Sequence, residues 1–155
     1  MMRDFLNEDE IALLKETCIS GQIEISREGS LVSFNEEQQA FRTGIIAALK
    51  ECIRCKHLSS IAAVAEQACN DVEEILSKNF ILDAQEDHTI AFLRGKACQS
   101  RFVLDRIIAF KYVKKTLDPG IPYFIPGDHL AYITLWREKD LGAFKNLKFN
   151  HNTVS

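Results

Sequence analysis

The 155-residue chain has only 7 Gly and 3 Pro, far too few for a collagen-like or low-complexity protein. It also lacks a strong charge of either sign. A net charge of −3 beside 46% apolar residues is not the low-hydrophobicity, high-charge balance that keeps chains disordered. No stretch reaches the roughly 18 consecutive apolar residues of a membrane span, and the opening Met1 to Glu8 turns acidic before a signal-like apolar core can form. These absences predict a cytoplasmic protein with no membrane partner. An even cysteine framework is missing as well. Cys18, Cys52, Cys55, Cys69 and Cys98 are odd in number and lie in helix-like segments, where cysteine acts as a small buried hydrophobe.

Catalytic signatures are absent in the same way. The chain holds no Gly-x-Ser-x-Gly, no His-Glu-x-x-His, no phosphate-cradling glycine loop and no Glu-x-x-His pair for a carboxylate-bridged metal. The nearest approach to a metal set is Cys52-x-x-Cys55 followed by His57. Both thiols would share a helix face, but a closed zinc site needs four ligands and no second cysteine pair has matching spacing. The expectation is therefore a protein that is not an enzyme and carries no cofactor.

What the chain does have is helical periodicity. Asn7 with Glu10, and Asn35 with Gln38, have the form of capping boxes. They predict one helix over about 8–20, stopped by Gly21, and a second running to about Lys56. Ser59 or Ser60 opens a third, with Ile61, Val64, Ala68, Val72 and Ile75 on one stripe. A fourth, long helix starts near Asp83 to Glu86 and is expected to continue to about Leu117, either kinking near Gly95 or projecting as a contact element. Between the first two helices, Ile23 and Ile25 alternate with polar residues, Arg27 to Ser30 reads as a turn, and Leu31, Val32 and Phe34 follow, which predicts a β-hairpin over about 22–34. Asp118-Pro119-Gly120 ends the long helix, Ile121 to Gly127 reads as a Pro-bounded strap, and 130–136 as a short helix or strand. The expected fold class is mainly α (α+β): a bundle of four to five helices, one of them long, with one N-terminal hairpin. It would form a single domain over 1–144, followed by a polar tail, 145–155.

Two further patterns bear on function. Ala40-Phe41-Arg42-Thr43-Gly44 is echoed by Ala91-Phe92-Leu93-Arg94-Gly95, which marks the 35–56 and 86–117 regions as a repeat, parts of two related helical hairpins, with a close helix approach at each glycine. Charge is also polarised: residues 1–40 carry 3 cations against 9 acids, and residues 91–117 carry 7 against 1. Such halves attract within one chain or head to tail between copies. The expected contact residues are the cations Arg94, Arg101, Arg106, Lys111 and Lys115 and the aromatics Tyr123, Phe124 and Trp136.

The segment Thr89-Ile90-Ala91-Phe92-Leu93-Arg94-Gly95-Lys96-Ala97-Cys98-Gln99-Ser100-Arg101-Phe102 resembles helices of small accessory virion proteins of tailed phages, in which an apolar-Arg-Gly-basic stretch precedes an amphipathic helix. That resemblance implies a structural or assembly role. The expectation carried forward is a non-enzymatic assembly component, phage or viral in the narrower version, binding protein partners or itself as a homo-oligomer. The alternatives are a small inhibitor of one host target and a nucleic-acid-associated protein using the basic 91–117 helix.

Overall fold

The computed structural model describes residues 4–78, 81–113 and Tyr123. Four α-helices follow in order: α1 Glu8–Leu31, α2 Glu36–Cys52, α3 Leu58–Lys78 and α4 Ala84–Ile108, the last running into a π-helical turn, Ala109–Val113. No helix among the described residues is long and apolar enough to cross a membrane. The strap at 121–127 apart from Tyr123, the 130–136 segment and the 145–155 tail lie outside the described residues.

The expected helices are present, but the β-hairpin at 22–34 is not: α1 continues unbroken to Leu31. Gly21 does not stop it. A glycine inside a helix costs about 1 kcal/mol, whereas fully burying one isoleucine is worth about 1.5–3 kcal/mol. Continuing the helix buries Ile25 completely, in register with buried Leu14, Cys18 and Gly21. The Ile23/Ile25 alternation is thus a local coincidence, with Ile25 in the core and Ile23 about half exposed. Among the described residues the only β pairing is an isolated antiparallel bridge, Phe5 to His57.

Capping sets the helix starts. Asn7 with Glu10, Asn35 with Gln38, and Asp83 with Glu86 each form a complete capping box, satisfying backbone donors that a helix start leaves open. α3 is capped from a distance. Asp4 accepts from the Ser59 backbone N–H at 2.8 Å and the Ser59 hydroxyl at 2.7 Å, and the Ser59 hydroxyl bond holds the Asp4 carboxyl below its ordinary range. The bridge to His57 delivers Asp4 to that place, through Leu6 N–H to the Lys56 carbonyl and Leu58 N–H to the Asp4 carbonyl.

α4 is the central element and does not project from the body. Its buried residues run from Ile90 to Ile108. The main core joins Leu14, Cys18 and Ile25 of α1, Phe41, Ile45 and Leu49 of α2, Leu58 and Ile61 of α3, and Val103, Leu104 and Ile107 of α4. A second cluster packs Ala68, Cys69 and Val72 of α3 on Ile90, Leu93 and Ala97 of α4.

α2 and α4 cross where the repeated glycines fall. A Cβ on Gly44 would lie well under 3.0 Å from the Phe92 carbonyl oxygen, and one on Gly95 equally close to the Phe41 carbonyl oxygen. The contact is reciprocal: each glycine packs on the phenylalanine backbone of the other motif. The shift that carries Phe41 to Phe92 and Gly44 to Gly95 also carries Leu14, Thr17, Cys18 and Gly21 of α1 to Ala65, Ala68, Cys69 and Val72 of α3. All eight of those positions are buried. α1–α2 and α3–α4 are thus matched hairpins meeting face to face, and the two close approaches expected separately are one crossing.

Candidate functional site

The cations singled out in the sequence are mostly held inside the fold. Arg101 keeps only 16% of its side chain exposed and pairs with Asp105 at 3.0 Å along α4. Arg106 is buried, its guanidinium 5.9 Å from the Phe102 ring centre. Lys111, carried by the π-helical turn, donates to the Glu10 carboxylate and to the Phe5 carbonyl, each at 2.9 Å. Both members of that ion pair are over nine-tenths buried, so the Lys111 cation locks the π-helical turn at the end of α4 onto the capped start of α1. Arg94 is half-buried and lines an open depression of about 460 Å³ with Glu37, Asp87 and His88. Tyr123 is buried and donates to Glu28 at 3.2 Å, and burial together with the Glu28 carboxylate raises its phenol above the ordinary range. Lys115, Phe124 and Trp136 lie outside the described residues.

Asp105 shows what this inward placement costs. Burial pushes its carboxyl up to about 6, against the opposing pull of Arg101. A folded-state value above the unfolded 3.8 means the folded form holds the proton more tightly, so the Asp105 contribution to stability falls as pH rises from about 4 through 6. Asp105→Asn, which cannot ionise, is expected to gain on the parent between pH 4 and pH 7. Urea midpoints of both proteins at the two pH values check this; equal differences at both would contradict it.

The Cys52, Cys55 and His57 set is not assembled as a metal site. Cys52 is fully buried at the end of α2, Cys55 donates weakly to the Glu51 carbonyl at 3.7 Å, and His57 Nδ1 lies 3.5 Å from Asp4. Among the described residues no group of three or more His, Cys, Asp or Glu side chains is placed to hold a metal ion. None of the five cysteines is placed in a disulfide. Burial pushes the Cys18 thiol up to about 12 and those of Cys52 and Cys98 well above their ordinary range, which leaves little of the reactive thiolate at neutral pH. With iodoacetamide at pH 8, the folded protein is expected to take at most one label quickly, at half-buried Cys55, and five after denaturation. Intact mass after a short pulse reads this, and rapid multiple labelling of the folded chain would contradict it.

A residue set that periodicity alone did not single out stands on α1. Ala12, Glu16, Ile19, Ile23, Ser26, Arg27 and Ser30 are all exposed. At 100° per residue, Ala12, Ile19, Ile23, Ser26 and Ser30 fall within about 30° of one azimuth, an uncharged stripe edged by exposed Lys15 on one flank and by Glu16 and Arg27 on the other. Ile19 is 50% exposed and Ile23 53%. The matched hairpin provides an internal control: the positions corresponding to Ile19 and Ile23 are Asn70 and Glu74 of α3, exposed and polar. The same place in the same local architecture is thus solvated in one hairpin and apolar in the other. Reading Gly21 as a helix stop hides the stripe, since it places Ile19 and Ile23 in different elements.

Comparison of the chain with protein-family models, with curated proteins and with solved structures finds no match.

Proposed function

We propose that this chain is a non-enzymatic assembly component that works through protein–protein contacts. The observation that carries the reading is the uncharged Ile19–Ile23 stripe on α1, set against the polar residues at the matched positions of α3. Scattered single apolar residues on a surface need no explanation, but two half-exposed isoleucines one turn apart, in an uncharged stripe edged by charge, mark a contact face. The charged side chains of the interior support the same reading, since Arg42 and Lys111 are engaged in pairs that join separate helical elements and Arg101 is engaged by Asp105 within α4. The nucleic-acid alternative is the less economical, because it needs cations facing outward while Arg101, Arg106 and Lys111 are turned inward. A phage particle, the assembly implied by the resemblance of Thr89 to Phe102, is the narrower version of the proposal.

The test is the mass in solution across a wide concentration series, by size-exclusion chromatography with light scattering. An assembly component is expected to rise above the 17.6 kDa of one chain to a defined multiple. A constant single-chain mass at every concentration would contradict the reading and favour an inhibitor of one target.

A further inference from the structure

We propose that the outward face of α1 is a self-docking surface through which two copies pair antiparallel. The inference rests on the assembly reading above and names its partner: a second copy of this chain. In an antiparallel pair centred near Gly21, Ile19 of one copy meets Ile23 of the other and the reverse, so four half-exposed isoleucines cover one another. Ala12 falls opposite Ser30 of the second copy, and these small side chains let the helices approach closely.

The flank supplies complementary charge. In antiparallel helix pairs the same flank of each helix comes together, so Glu16 of one copy lies beside Arg27 of the other, twice per dimer. Both residues are exposed. Arg27 pairs within its own chain with Glu24 at 3.0 Å, at side-chain exposures of 62% and 42%. So exposed a pair contributes little, and the guanidinium can exchange partners at little cost. Opposed α1 dipoles add to the preference for the antiparallel arrangement. The interface is isologous and closes on itself, giving a dimer and not a filament. A seam of one helix on one helix belongs at the small end of specific interfaces, below about 1,200 Å², so the expected dissociation constant is on the order of micromolar.

Sedimentation equilibrium of the full chain and four variants tests this, with circular dichroism confirming that each variant keeps its helix content. The wild type is expected to dimerise. Ile19→Glu and Ile23→Glu each place two charges in the seam of the symmetric dimer and are expected to raise Kd by about 100-fold or more. Glu16→Arg sets like charges together twice and is expected to weaken pairing by roughly tenfold, and the double swap Glu16→Arg/Arg27→Glu to restore it to within a few-fold. If the wild type stays monomeric, self-pairing and the assembly reading fall together. If it oligomerises but both isoleucine variants do so equally well, the assembly reading stands and the α1 seam is overturned. If the single charge reversal weakens pairing and the double swap does not restore it, the antiparallel register is overturned.

Discussion

Gly44→Ala and Gly95→Ala are each expected to destabilise the fold severely, by about 3 kcal/mol or more. Helix propensity alone predicts the opposite sign, since alanine in place of a helical glycine gains about 1 kcal/mol. The steric effect dominates because the added methyl would meet backbone: the Phe92 carbonyl oxygen at Gly44 and the Phe41 carbonyl oxygen at Gly95. A side chain could rotate away, but a helix backbone can yield only by moving the whole helix, which opens the α2–α4 packing along its length. Because both substitutions force the same two helices apart, their effects are expected to be markedly less than additive in the double variant. Urea unfolding of the two single variants and the double variant measures this. A stabilised Gly44→Ala would show that the helices do not approach as described.

The second large effect is expected at Arg42. Its side chain is 4% exposed and pairs with Glu28, which keeps 24%. It also donates to the Ile25 carbonyl at 2.6 Å and lies 4.1 Å over the Phe34 ring. Glu28 in turn accepts from Tyr123. This cluster fastens the last turns of α1 to α2. Gly29 belongs to it, since a Cβ there would lie 2.8 Å from an Arg42 guanidinium nitrogen. Arg42→Met leaves Glu28 without its cation and is expected to cost about 3–5 kcal/mol, the range for breaking one side of a buried pair. Arg42→Met/Glu28→Leu removes both charges and is expected to recover a large part of the loss, because desolvating an ion pair offsets much of its attraction. Thermal unfolding of the parent and both variants decides. A double variant no better than Arg42→Met would show that the attraction between the two charges, and not the orphaned carboxylate, dominates.

The legible parts of the fold were those written in local chemistry. Asn7, Asn35 and Asp83 begin helices because their capping partners sit three residues on, a pattern that needs no tertiary information. The glycines at 44 and 95 announced close helix contact for the same reason: a costly residue inside a helix calls for a packing cause. What was not legible depends on neighbours distant in sequence. Gly21 and Gly29 read as helix stop and turn, yet one is buried within a continuous helix and the other makes room for Arg42 of the next helix. The α3 cap comes from Asp4, more than 50 residues away, and no local rule points there. Lys111 looked like a surface cation, whereas Glu10, 101 residues earlier, draws it inward; Arg101 and Arg106 are engaged four residues away along α4, by Asp105 and the Phe102 ring. The α1 stripe became visible only once the helix was continuous and α3 offered a matched position for comparison.

Hydroxyl-radical footprinting of the wild-type chain at two widely separated concentrations reads out whether α1 presents its uncharged stripe to a second copy. Ile19 and Ile23 are expected to lose labelling at the higher concentration, while Leu76 at 41% exposure and Ile81 at 89%, outside the seam, label equally at both. Unchanged labelling of Ile19 and Ile23, with the chain at its highest concentration, would show that this face of α1 stays open to solvent and does not pair.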